Sequence, residues 1–178
     1  MTQAPESRVL PQFVDARKMA NQGIELHGIV PASKLERLQQ ATTLADKGID
    51  VNLSFHVDEE RHLLVTGDIA AVVNLQCQRC LGDVEFSVVT DVTVAIVAGE
   101  EQAKALPGRL DPWLVTDASA DLYNLIEEEI LLALPMVAYH QNQCLDEDLY
   151  SAGEEESGQE SKSDNPFSVL EQLKGSPK

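Results

Sequence analysis

The sequence predicts an α+β protein: an antiparallel β meander packed by one main helix plus N-terminal helices, with a disordered acidic C-terminal linker. Three observations carry this reading. Apolar and polar residues alternate across residues 49–57, 63–77 and 84–96, the period of two that gives a strand one buried and one wet face. A single apolar stripe at helical spacing, Leu122, Leu125, Ile126, Ile130, Leu132 and Ala133, runs through residues 121–134. Residues 151–164 (SAGEEESGQESKSD) are acidic and hold almost nothing apolar to bury.

Along the chain, residues 14–22 have helical propensity with an Asp near the start, and residues 24–30 read as a short strand. Pro31 suits the first turn of a helix running to about Leu44, because its missing N–H had no partner there. In the first strand of the meander Ile49, Val51, Leu53, Phe55 and Val57 share a face, and Asp58–Glu59–Glu60–Arg61 make the turn. Leu63, Val65, Ile69, Ala71, Val73, Leu75 and Cys77 share the next phase, with Gly67 interrupting it at a position where a bulge could sit. After the connection 77–83, the phase resumes with Val84, Phe86, Val88, Val92, Val94 and Ile96. Residues 98–112 read as loop with a single helical turn, residues 113–116 as a short strand, and Pro135 ends the main helix. The resulting division is an N-terminal arm and helix (1–22), one α+β domain (23–145), an acidic flexible linker (146–164) and a short amphipathic helix (165–174). Phe167, Leu170 and Leu173 would form the stripe of that last helix.

A chain of 178 residues suits one domain with tails. Thirteen Lys and Arg against 30 Asp and Glu leave a net charge of −17, which excludes a general nucleic-acid-binding surface built on clustered cations. The charge is uneven: +1 over residues 1–45, −12 over 46–140 and −6 over 141–178. Three cysteines, an odd number, argue against a disulfide scaffold. No run approaches the ~20 apolar residues of a membrane span, and the first ten residues lack a secretory-signal pattern. The expectation is an acidic, soluble, cytoplasmic protein with a basic partner.

Cys77-x-x-Cys80 falls at a strand end and its turn, where two thiolates converge on one ion without straining the backbone. His140 and Cys144, spaced H-x3-C beyond Pro135, complete a Cys3His set suited to one structural zinc. Two other readings stand beside it. The three cysteines are simply reduced, with Cys77 in the core, or Cys77 and Cys80 form a redox pair. The second lacks the helix that follows thioredoxin-like motifs and lowers the thiol pKa.

Glu127 and Glu128 read as a solvated face available to a partner, whereas Glu129 falls on the apolar stripe as a structural buried acid needing a partner or a shifted pKa. His27, His56 and His62 lack ligand spacing and default to the surface. No Gly-rich phosphate loop, GxSxG or HExxH is present, so no enzyme is indicated.

Cys-Gln-Arg-Cys (77–80) after a β run, Glu-Glu-Glu-Ile-Leu-Leu-Ala-Leu-Pro (127–135), His140 with Cys144, and Asn-Pro-Phe-Ser-Val-Leu-Glu-Gln-Leu-Lys (165–174), in that order, resemble the YceD family. The early Gln-Gly (22–23) and Glu-Gln-Ala-x-Ala-Leu-Pro (101–107) extend the likeness over roughly residues 8–174. The resemblance implies a bacterial cytoplasmic factor in the synthesis, processing or stability of large-subunit (23S) rRNA. It also implies a fuller zinc-type set in relatives with further cysteines near the position of Cys144; here His140 stands in.

Combined with the charge, the resemblance predicts indirect action on rRNA, through a basic ribosomal or assembly protein of the large subunit. Glu127, Glu128 and the 165–174 helix are the partner-binding candidates, the helix docking either in a partner's groove or on the protein's own core. The alternatives are a direct rRNA-binding module using Arg8, Arg17, Lys18, Lys34 and Arg37 beside a zinc knuckle, or a CxxC thiol oxidoreductase.

Overall fold

The computed structural model describes residues 8–44 and 48–145. Its elements, in chain order, are β1 (Phe13–Val14), α1 (Ala16–Gln22), β2 (Glu25–Val30), a 3-10 turn (Ala32–Lys34), α2 (Glu36–Ala41), β3 (Thr43–Leu44) and β4 (Ile49–Val57). They continue with β5 (Leu63–Gln76), β6 (Asp83–Val97), α3 (Glu100–Ala105), β7 (Asp111–Leu114), β8 (Ala120–Asp121) and α4 (Leu122–Ala133). The chain is α+β, as its periodicity predicts.

The main sheet runs β2-β4-β5-β6-β7, and β3 pairs with β5 beyond the end of β4, opposite Val73 and Asn74. All its pairings are antiparallel except β6 with β7. The chain preceding β1 closes the β2 margin: Leu10 N–H donates to the Ile29 carbonyl at 3.0 Å, and Ile29 N–H to the Arg8 carbonyl at 2.9 Å. Gly28 permits that approach, because a Cβ there would lie 2.1 Å from the Arg8 oxygen. β1 and β8 form a separate two-stranded ribbon.

α1 lies against β4 and β5, and α4 against β6 and β5. Ala16 and Ala20 of α1 and Leu122, Leu125, Ile126 and Ile130 of α4 meet the inward residues of the three long strands in one apolar cluster. Asp15 caps α1 through the Lys18 N–H, and Gly23, left-handed at φ 64, closes it. Asp121 caps α4 through the Asn124 N–H at 3.1 Å. The Tyr123 hydroxyl donates to the Leu10 carbonyl at 2.7 Å, tying α4 to the N-terminal segment. On the outer face, Asn52 joins His27 (3.1 Å) to Asp68 (2.8 Å) across three strands. A smaller cluster of Leu64, Ala95 and Leu110, with Leu106 against it, includes residues flanking α3.

Several expectations change. The helix expected from Pro31 to Leu44 is a 3-10 turn and a shorter α2, because Thr42 turns extended (φ −140, ψ 160) and Thr43–Leu44 pair with β5. The register of Gly67, opposite both Leu53 and Val92, is unbroken, so no bulge forms there. The expected strand 113–116 begins earlier, as β7, and is parallel. The α4 stripe is also rotated. Tyr123 is buried, which centres the inward face nearer to Glu127, 6% exposed, and leaves Leu132 80% exposed. Glu127 is therefore the buried acid and is not available to a partner, while Glu129 is only half-buried. Contacts divide the chain after Cys144. The acidic linker and the helix proposed at 165–174, with Phe167, Leu170 and Leu173, lie outside the described residues.

Candidate metal centre

The turn between β5 and β6 is folded by two backbone hydrogen bonds: Cys77 N–H to the Gly82 carbonyl at 2.8 Å and Leu81 N–H to the Cys77 carbonyl at 2.9 Å. Leu81 takes the left-handed conformation (φ 60) that this tight reversal requires. The reversal sets Cys77 and Cys80 on one side. Cys77 is fully buried at the end of the β5 inward phase.

The other two residues come from the chain beyond α4. Gln78 N–H donates to the carbonyl of buried Ala138 at 2.9 Å, which lays residues 138–144 along the turn. The Arg79 guanidinium donates to the carbonyls of His140 and of Asn142, the latter at 3.1 Å, and lies 5.2 Å from the Tyr139 ring centroid. Arg79 thus clamps the segment that carries His140 and Cys144.

The ligand atoms of Cys77, Cys80, His140 and Cys144 all lie within 4.8 Å of one another. Cys77 Sγ is 3.7 Å from Cys144 Sγ, and Cys80 Sγ is 3.5 Å from His140 Nδ1. A tetrahedral ion with metal–sulfur bonds of about 2.3 Å and metal–nitrogen bonds of about 2.05 Å has sulfur–sulfur edges of about 3.8 Å and sulfur–nitrogen edges of about 3.6 Å. A disulfide would need its sulfurs about 2.05 Å apart. The spacing suits a shared ion, and this Cys3His group can hold a metal.

His140 Nε2 lies 3.0 Å from the Asp83 carbonyl oxygen, which can only accept, so Nε2 carries a proton and Nδ1 is the ring nitrogen placed to serve as a ligand beside the Cys80 sulfur. Burial pushes the Cys77 thiol up, but the backbone N–H groups around it, those of Cys80, Arg79 and His140, outweigh burial and bring it down to about 5. Cys144 moves the other way, raised by burial and by its hydrogen bonds to the Cys77 and Cys80 sulfurs. An ion taking all three sulfurs as thiolates must therefore displace protons, so affinity rises with pH.

A second group, missed in the sequence, is the β4–β5 turn. His62 Nδ1 lies 2.9 Å from Asp58 and 3.7 Å from Glu60, the three offering ligand atoms close together. Its signal was the D-x-E-x-H spacing. Asp58 also accepts the His62 N–H at 2.7 Å, and Glu60 pairs with Arg109 at 2.9 Å, so both carboxylates of this group already have partners. Burial works against the Asp58 carboxylate, but its bonds to His62 prevail and lower its pKa. Glu129 is shifted upward, first by burial and then by Asp111 and Glu128. Of the expected basic cluster, Arg17 donates to the Val115 carbonyl and Arg37 pairs with Glu128 at 3.2 Å.

Fold and site together define a β-meander protein whose central hairpin carries half of a Cys3His group that could hold a metal, completed by the segment after its main helix. Residues 65–174, which include all four ligand candidates, match the family described as Large ribosomal RNA subunit accumulation protein YceD. A protein of that name from Haemophilus influenzae is 32% identical over 170 residues, covering 93% of this chain and 96% of its own. The chain belongs to the YceD family. No solved structure matches it. No helix among the described residues is long and apolar enough to cross a membrane.

Proposed function

We propose that this protein is a non-enzymatic, cytoplasmic factor for the accumulation of large-subunit (23S) rRNA, acting by holding a basic ribosomal or assembly protein. Family membership supports the role in large-subunit rRNA accumulation, since both the family and the Haemophilus influenzae relative are named for it. The observation that carries the second half is the charge of −17. Such a surface repels a polyanion and attracts a cationic protein at long range. Of the candidate basic residues, Arg17 is already tied to the Val115 carbonyl and Arg37 is paired with Glu128, which weakens the direct RNA-binding reading.

The centre takes one structural zinc in this reading. Four protein ligands leave no open position, the arrangement of sites that hold structure rather than perform chemistry. The ion would supply a cross-link between the β5–β6 turn and residues 138–144. A thiol oxidoreductase fits less well, because Cys77, the thiol with the lowered pKa, is 0% exposed and a strand rather than a helix follows the motif.

Affinity purification of the full chain at physiological salt, with and without nuclease, tests the partner. Large-subunit proteins retained after nuclease support the proposal. Tight capture of naked rRNA by the purified protein, with no protein retained, overturns it. Native mass spectrometry of reduced protein prepared without chelator tests the ion, and the absence of stoichiometric zinc removes it.

A further inference from the structure

The main sheet guards two of its margins and leaves part of a third open. The β2 margin is covered by residues 8–10, and β7 carries Pro112, which offers no N–H to an incoming strand. β6 is 15 residues long, but β7 pairs only with Val94, Ala95, Ile96 and Val97.

Three hydrogen bonds fix which way the backbone of β6 points. The Gly82 carbonyl, just before the strand, accepts from Cys77 on the β5 side. The Asp83 carbonyl meets His140 Nε2 instead, and at the far end the Val97 carbonyl accepts from Val115 beyond β7. Backbone groups alternate along a strand. Glu85, Ser87, Val89, Asp91 and Thr93 therefore direct both N–H and C=O away from β5. Among the described residues no hydrogen bond reaches these outward groups.

Exposed edges are usually blunted by charged side chains, especially Lys, by Pro or by a bulge, and an acidic edge blunted in this way still admits a cationic strand. Residues 85–93 contain neither Lys nor Pro, and their register against β5 is unbroken. Instead the outer face carries Glu85 and Asp91 on either side of Val89, which is 71% exposed, and no Lys or Arg occurs from residue 80 to 103. A strand laid here would place its side chains about 5 Å from these three. Lys or Arg opposite the acids and an apolar residue opposite Val89 match them.

We infer that the outward edge of β6, residues 85–93, is the docking site of the basic partner, which adds an extended cationic segment to the sheet as a further strand. This rests on the basic-partner reading above and goes beyond it by naming the surface and the backbone form of the ligand. A second copy of this chain is disfavoured, since β6 against β6 brings two acidic rows together.

The probe is the RNA-free basic protein fraction extracted from bacterial large ribosomal subunits, added to the full chain while amide exchange is followed by NMR. The amides of Glu85, Ser87, Val89, Asp91 and Thr93 are expected to slow about ten-fold or more on binding, while Val84, Phe86 and Val88, bonded to β5, are protected already. Val89→Pro removes one outward donor and spares the β5 ladder, and Val89→Lys opposes a cationic strand on an exposed position. Each is expected to weaken capture about ten-fold, and Val89→Lys keeps the test intact should Val89→Pro misfold. Capture without slowing of those five amides overturns this inference and leaves the basic-partner reading standing. Capture by Val89→Lys at wild-type strength, or slowing that grows with the concentration of the protein alone, also overturns it. Failure to capture any component defeats the partner reading and this one with it.

Discussion

The carboxylate of Glu127 accepts the backbone N–H of Leu38 at 3.0 Å, so α4 caps the start of α2 across 89 residues of sequence. α2 needs this, because its own N-cap residue, Leu35, has no side-chain acceptor. The helix N-terminus in turn offers a buried carboxylate a partial positive charge. Its neighbour Glu128 pairs with Arg37 of the same helix in water. Two consecutive acids thus hold one helix end, and only the first is buried.

Glu127→Ala should therefore destabilise the fold by about 1–3 kcal/mol, the cost of leaving a buried donor unpaired. Glu127→Gln keeps an acceptor oxygen and should recover part of that loss. Glu128→Ala should cost no more than about 1 kcal/mol, as an exposed ion pair. Urea unfolding midpoints of the three variants check the order, and equal losses at 127 and 128 would contradict the burial difference.

The meander was readable because each long strand keeps one face buried, so its period of two survives in the sequence. The Cys3His group was readable because its chemistry is rare and the spacing within each pair, Cys77 with Cys80 and His140 with Cys144, is local. The α4 face was not, because Tyr123 has a polar tip that hides its buried ring, and omitting it turns the wheel toward Glu129 and Leu132. Nothing local marks Glu127 as a cap for Leu38, or Arg79 as the clamp on His140 and Asn142. Those roles exist only after distant segments meet. The stop at Ala41 was equally hidden, since it depends on β5 offering a free edge to Thr43 and Leu44.

Gly67 carries a different test. At φ 157 its backbone is one that side chains rarely adopt, and a Cβ would lie 1.9 Å from the Asn52 carbonyl oxygen. Gly67→Ala should cost at least about 1–3 kcal/mol from the backbone conformation alone, with displacement of β4 added. Thermal unfolding monitored by circular dichroism reads it. A wild-type midpoint would mean that β4 and β5 do not approach as closely as this.

Two carboxyls link stability to pH with opposite signs. Asp58, held below its ordinary 3.8 by its bonds to His62, contributes stability that is present above the ordinary carboxylate range and lost as pH falls through its folded value. Asp58→Asn should thus be destabilising at pH 5 and converge on wild type toward pH 2. Glu129 sits above its ordinary 4.5, chiefly through burial. Its cost is absent below 4.5 and appears in full once pH passes its raised value. Glu129→Gln should therefore be more stable than wild type at pH 7 and equal to it at pH 3. Unfolding free energies of both variants across this range decide the matter, and parallel curves would remove both assignments.

The guanidinium of Arg79 joins the carbonyls of His140 and Asn142, and so sets the segment that brings His140 Nδ1 to 3.5 Å from Cys80 Sγ. A Lys at this position keeps the charge but loses the planar fork that spans two acceptors. Arg79→Lys should weaken zinc binding about 10–100-fold, as loss of an outer partner does at other sites, while all four ligands remain. Cys144→Ser removes a thiolate outright and should weaken it further. Competition against a chromophoric chelator measures both, and repeating it between pH 6 and about 8 should show affinity rising as protons leave the sulfurs. Unchanged affinity in Arg79→Lys would show that the ligands hold their positions without the clamp, and unchanged affinity in Cys144→Ser would exclude that sulfur from the centre.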